Sequence, residues 1–172
     1  MTVGRSTLRR DAKDKVTGAA RYPADLHPPG ALHARVVLSG RPHARMLSME
    51  IAAAETTPGV VAVFTASDVP VNEYGLTMFD QPVMVGLADS GRSRVAADVS
   101  RWEADQIAIV VAETQDAADA GAERIGAEWE DLPVVGDLDA ALSDEVLVRP
   151  DIHPESNAVS YTHLTLPTIL LV

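Results

Sequence analysis

An α+β fold, with a small mixed sheet and short packed helices, is the class this sequence predicts, and three observations carry it. Short segments rich in Val, Ile and Ala recur between turns that bear Pro or Gly. One of them, Gln106 to Ala112 (QIAIVVA), is almost continuously apolar, the pattern of a strand covered on both faces. It leads through Thr114 into a stretch where Ala118, Ala122 and Ile125 repeat at i, i+4 and i+7, one face of a helix. Strand pairs joined through helices give an α+β domain.

The elements follow in order. Leu32 to Ser39 (LHARVVLS) is strand-like and is opened by the turn formers Pro28-Pro29-Gly30. Ala44 to Met49 is a second strand, after a turn at Gly40-Arg41-Pro42. Ile51 to Glu55 is Ala-rich and is expected to form about one helical turn or two, which Pro58-Gly59 ends because Pro disfavours helical backbone in the residue before it. Val60 to Thr65 (VVAVFT) is a short apolar strand. Pro70 to Ser100 is broken by Gly75, Pro82, Gly86 and Gly91, so a long excursion with one short strand is expected there. After the apolar strand, Thr114 caps a helix over Gln115 to Ile125, with Asp116 and Asp119 near its positive end. Ala127 to Glu130 (AEWE) alternates apolar and acidic, as a half-exposed strand does. Asp137 is placed to cap a last short helix through Leu142.

Composition narrows the function classes. Of 172 residues, 47% are hydrophobic, 23% charged and only 4% aromatic, so the core is built from Ala, Val, Leu and Ile. The formal net charge of -11 disfavours nucleic acid as a partner. With no cysteine in the chain, disulfides, thiolate nucleophiles and cysteine-ligated zinc or iron–sulfur clusters are excluded from it. Met1 to Asp14 is polar, with Arg5, Arg9, Arg10, Asp11 and Lys13 and no apolar stretch behind them, so neither a signal peptide nor a membrane partner is expected, and the cytoplasm is the expected location.

No catalytic, cofactor-binding or metal-binding residue emerges from the chemistry-bearing side chains. His27, His33, His43, His153 and His163 lack any metal-ligand spacing, and His33 in a strand and His43 in a turn are expected to be hydrogen-bonded structural residues. Glu128 and Glu130 share one face of a strand and mimic a two-carboxylate hydrolytic site, but Trp129 on the other face makes an amphipathic strand the better account. Asp137 and Asp139 form a second close pair. Glu103 and Asp105, beside Trp102, are expected to solvate the entry to the apolar strand. No nucleophile elbow, dinucleotide fingerprint or phosphate loop occurs. Arg5, Arg9, Arg10, Lys13 and Lys15 form a basic cluster, either a solvated arm or a contact for an acidic neighbour.

The final stretch, Val159 to Val172 (VSYTHLTLPTILLV), contains no Asp, Glu, Lys or Arg. It has strand propensity, but Val159 to Thr168 matches, codon by codon, the translation of a common transposase-based sequencing adapter. This tail is therefore expected to be foreign to the natural protein and is set aside.

Taken in order, a series of short motifs resembles a known family. Val3-Gly4-Arg5-Ser6, Arg10-Asp11-Ala12, Lys15-Val16-Thr17-Gly18, Ala20-Arg21-Tyr22 and Ala24-Asp25-Leu26 open it. Gly30-Ala31-Leu32-His33, Pro42-His43-Ala44-Arg45, Pro58-Gly59-Val60 with Ala62-Val63, and Asp68-Val69-Pro70 follow. Val110-Val111-Ala112-Glu113-Thr114, Glu130-Asp131-Leu132-Pro133-Val134-Val135, and His153-Pro154 with Asn157 close it. The order resembles the start of the molybdopterin-binding large subunits of the xanthine dehydrogenase and aldehyde oxidase family, over residues 3 to 158. The chain departs from that pattern where the family often carries a Gly-Glu-Pro turn, here replaced by Trp102 to Ala108.

The resemblance implies an N-terminal α/β hammerhead domain over residues 21–158, preceded by an arm over residues 1–20 and followed by the foreign residues 159–172. It implies an oxidoreductase that hydroxylates an aldehyde or N-heterocycle with oxygen from water, using molybdenum on molybdopterin held by downstream domains of the same chain. It also implies [2Fe-2S] clusters and FAD in partner subunits or domains. None of the family's cofactor-contacting stretches maps onto this chain, so the piece alone is expected to be inactive. The competing expectation is a non-catalytic interaction or assembly module with the same fold.

Overall fold

The computed structural model describes residues 4, 6–7, 9–72, 82–87 and 96–158. The molecule divides into two units, Met1–Ala31 and Leu32–Val172. In the first, Ala12–Val16 form a short helix, α1. Asp11 at its start pairs with Arg9 at 2.5 Å and with Lys15 at 2.8 Å. Lys15 first, and Arg9 after it, hold the Asp11 carboxyl below the usual carboxylate range. Two cations of the basic cluster are thus matched locally, while Arg5 lies outside the described residues. The Ala-Asp-Leu motif is a turn, in which the Asp25 carboxylate accepts the Tyr22 N–H at 2.9 Å.

The second unit is built on two three-stranded sheets. Strands β1 (His33–Leu38), β2 (Ala44–Glu50), β3 (Val60–Thr65), β4 (Val99–Ser100), β5 (Gln106–Ala112) and β6 (Gly126–Asp131) pair in the orders β1-β5-β3 and β4-β2-β6. Every pairing is antiparallel. The α+β class therefore holds, but the small mixed sheet expected from the sequence is two antiparallel ones. The reason is that Ala52–Glu55 (α2) and Gln115–Ala122 (α3) each join a strand of one sheet to a strand of the other, so neither acts as the crossover of a parallel pair. The excursion after Pro70 contributes β4 alone among its described residues; residues 73–81 and 88–95 of it lie outside them.

Helix α3 starts where Thr114 predicts, its hydroxyl accepting the Ala117 N–H at 3.2 Å. It ends at Ala122 rather than Ile125, yet Ile125 still packs with Ala122 on the cluster of Ala54, Val63 and Val110. Close approach of α3 to the sheet depends on Gly121, where a Cβ would lie 2.9 Å from both Val110 Cγ1 and Val60 Cγ2. Thr114→Ala removes the cap and is expected to cost about 1 kcal/mol, read as a lower urea midpoint with an unchanged slope.

A second cluster, Met46, Val85 and Ile107 with Met49, Ala127 and Trp129 around it, joins the two sheets. Asn72, fully buried, holds the intervening chain by donating to Met84 O at 2.8 Å and accepting Met84 N–H at 2.9 Å. In β6, Ala127 and Trp129 turn inward and Glu128 and Glu130 outward, the alternation expected. The expected cover on both faces of β5 is found in full on one face only: Ala108, Val110 and Ala112 are wholly buried on the helix side, while Ile109 and Val111 are half-buried. Leu138–Ser143 form α4, with the Asp137 carboxylate accepting the Ala140 N–H at 2.7 Å.

Candidate functional site

The densest polar chemistry of the second unit surrounds β4 and the turn into β5, and it arises from the segment where the sequence departs from its family pattern. The Asp105 carboxylate accepts the N–H groups of Arg101 at 2.7 Å and Trp102 at 3.0 Å. Buried Ser100 donates to Ser39 Oγ at 2.8 Å and lies 3.4 Å from the same carboxylate. The sequence has Asp105 solvating the strand entry; in the structure it organises the turn instead, because its carboxylate accepts from two adjacent amides of the chain folded around it. Glu103 is exposed, as expected for that entry, and Trp102 beside it is exposed too.

Beyond this turn, Arg101 and Asp151 form the least exposed ion pair among the described residues, at 3.0 Å with side chains 12% and 21% exposed. Arg101 also donates to the carbonyls of Ala96, Val99 and Val148. Burial pulls the Arg101 pKa down, and Asp151 works against that pull. The pair lines a cleft of about 470 Å³ that also presents His43, Arg45, Leu132 and Val148. Arg45 is matched by Asp98 at 2.8 Å. Arg101, Asp151 and Arg45 are thus each matched by a counter-charge, as in a structural joint.

The other candidates are placed as follows. His43 is buried, its Nδ1 2.6 Å from Pro133 O, the structural role expected. His27 and His33 are exposed and His153 half-buried, and His163 lies outside the described residues. Glu128 accepts the Ser48 hydroxyl at 2.9 Å and Glu130 sits 3.8 Å from Arg45, both on an exposed strand face. Asp137 is spent as a cap, and Asp139 is exposed. A residue that pattern reasoning passes over as a motif end, Asn157, ties the last segment together: it donates to Ala141 O and Val146 O and accepts Val148 N–H. Its signal in the sequence is only the His-Pro nearby.

Among the described residues no group of three or more His, Cys, Asp or Glu could hold a metal ion, and no helix is long and apolar enough to cross a membrane.

Comparison with known proteins fits this picture. The family model described as "Aldehyde oxidase and xanthine dehydrogenase, a/b hammerhead domain" matches residues 17–133. A Bacillus subtilis (strain 168) protein, named as one of the subunits of a probable xanthine dehydrogenase, is 38% identical over 88% of this chain and 19% of its own length. The nicotinate dehydrogenase large molybdopterin subunit of Eubacterium barkeri is 31% identical over 94% of this chain and 35% of its own. Among solved structures, quinoline 2-oxidoreductase from Pseudomonas putida 86 superposes with a TM-score of 0.68 at 34% identity, covering 85% of this chain and 18% of that one. The aldehyde oxidoreductase from Desulfovibrio desulfuricans ATCC 27774 gives 0.71 at 30% identity, covering 92% and 17%. The chain thus spans about a third or less of the proteins it matches. With the family model covering well over half of its residues, the chain belongs to the aldehyde oxidase and xanthine dehydrogenase hammerhead-domain family.

Proposed function

We propose that this chain is the N-terminal structural module of the large subunit of a molybdenum hydroxylase, an oxidoreductase that hydroxylates an aldehyde or N-heterocycle with oxygen from water. The observation that carries the reading is the size of the match: most of this chain corresponds to a fifth or less of relatives such as the Bacillus subtilis protein. A module of that share, whose polar groups are spent on caps, turns and ion pairs, supports a scaffold role. In this reading residues 1–20 are an arm, 21–158 the module and 159–172 foreign. Molybdopterin is held by downstream domains of the same chain, and [2Fe-2S] clusters and FAD belong to partner subunits or domains. The assembly is cytoplasmic.

The test is elemental. The full-length subunit, purified with its neighbours, is expected to contain molybdenum and iron and to oxidise an aldehyde or N-heterocycle. The 172-residue chain alone is expected to show no molybdenum, no flavin absorbance and no turnover. Metal-free full-length protein would overturn the reading in favour of a non-catalytic assembly module.

A further inference from the structure

Strand β5 is apolar at every position from Ile107 to Ala112, yet its two faces meet different surroundings. Val110 pairs with Arg35 and Val63, and these point to the helices: Arg35 reaches Asp119 of α3, and Val63 and Val110 pack with Ala54 of α2. The neighbours by one residue point the other way. Val36, Ile109 and Phe64 form one cross-strand row, and Ala34, Val111 and Ala62 the next. All six are apolar, and Val36 and Phe64 remain 40% and 44% exposed. Both helices that pack on this sheet lie on its opposite side.

An antiparallel sheet with one face in water normally alternates apolar and polar residues. Here the water-side rows carry no polar residue, the pattern of a face that is covered in the complete protein. The rows also continue the buried core, because Ile107, on the same side, is already covered by Met46 and Val85.

We propose that this face is the docking surface for the remainder of the large subunit, an inference that rests on the module reading above. Relatives supply the occupant: four fifths of the Bacillus subtilis protein lies outside the region matched, since the match takes 19% of its length. A second copy fits less well. Six side chains of these sizes present on the order of 300 Å², well below the roughly 800 Å² per partner of a stable free interface. The remainder of a large subunit is not confined to this face: four fifths of a protein can add contacts around it, so that the complex reaches a stable size without a tether.

The experiment co-expresses this chain with the Bacillus subtilis relative from which the matching segment has been removed. Compared are the wild-type chain, the double variant Val36→Lys/Phe64→Asp, and Glu123→Lys, an exposed change on the helix side. Wild type and Glu123→Lys are expected to co-purify with the relative, and the double variant to do so at least about tenfold less. A second readout does not depend on the double variant's folding. The chain has no native cysteine, so Phe64→Cys places one thiol on the face. It should react with a maleimide freely in the chain alone and at least about tenfold more slowly in the complex.

Co-purification of the double variant at the wild-type level, or an unprotected thiol in the complex, overturns the docking face and leaves the module reading standing. Failure of the wild-type chain to co-purify overturns both. A wild-type dimer in sedimentation that the double variant dissolves overturns the proposed occupant in favour of a second copy.

Discussion

Met46→Ala is expected to lower the stability of the Leu32–Val172 unit by about 3 kcal/mol, and Met46→Asp to abolish its cooperative unfolding transition. Met46 is the largest fully buried side chain of the described residues, 1% exposed. It stands in β2, opposite Trp129 of β6, yet its cluster includes Ile107 of β5 and Val85 of the excursion. One side chain therefore touches both sheets and the segment between them. Truncation leaves a cavity at the only buried cluster that joins the sheets among the described residues, and neighbours fixed by two sheets collapse poorly around it. Asp at the same place would be surrounded by Val85, Ile107, Met49 and Trp129, which offer a carboxylate no charge and no donor beyond one indole N–H. Met46→Leu, nearly volume-conserving, should cost under about 1.5 kcal/mol. Urea unfolding followed by Trp fluorescence reads all three, because Trp129 lies in the same cluster. A wild-type midpoint for Met46→Ala would show that the two sheets do not share a core.

How much of this is legible in the sequence depends on the range of the interactions that write each feature. Gln106 to Ala112, the Thr114 cap and the Asp137 cap are local patterns, and the structure places each where expected. Pairing order is not local. Nothing in LHARVVLS or VVAVFT says that both strands flank β5, or that bulges at Val37/Leu38 and Val60/Ala62 shift their registers. The single mixed sheet fails for that reason: alternation of strands and short helices is compatible with a crossover, and only the partners decide against it. Asp105 is misread on similar grounds. An acidic residue before an apolar strand looks like solvation until the chain is seen to fold back, presenting the Arg101 and Trp102 amides to its carboxylate. The family, by contrast, is legible from many weak motifs in order, most of which turn out to be turns and strand ends.

Arg101→Ala should be the most damaging substitution outside the apolar clusters, at about 3 kcal/mol. The guanidinium is a hub: it donates to the carbonyls of Ala96, Val99 and Val148 and to the Asp151 carboxylate, which itself accepts the Ala96 N–H. Removing it strands a poorly exposed carboxylate and three acceptors at once, and it unties the Val148 to Asp151 segment from β4. Arg101→Lys keeps the charge but not the planar fork that reaches four acceptors, so an intermediate loss of about 2 kcal/mol is expected. The diagnostic variant is Arg101→Met with Asp151→Leu. Replacing both partners by apolar groups removes the stranded charge, and the double substitution should be less destabilising than Arg101→Ala alone. Because the pair is mostly shielded from solvent, 1 M salt should change these differences little, whereas it should weaken the exposed Arg41–Asp131 contact. Equal losses for the single and double substitutions would place the stability in the three carbonyl bonds rather than in the ion pair, and would make Asp151 dispensable.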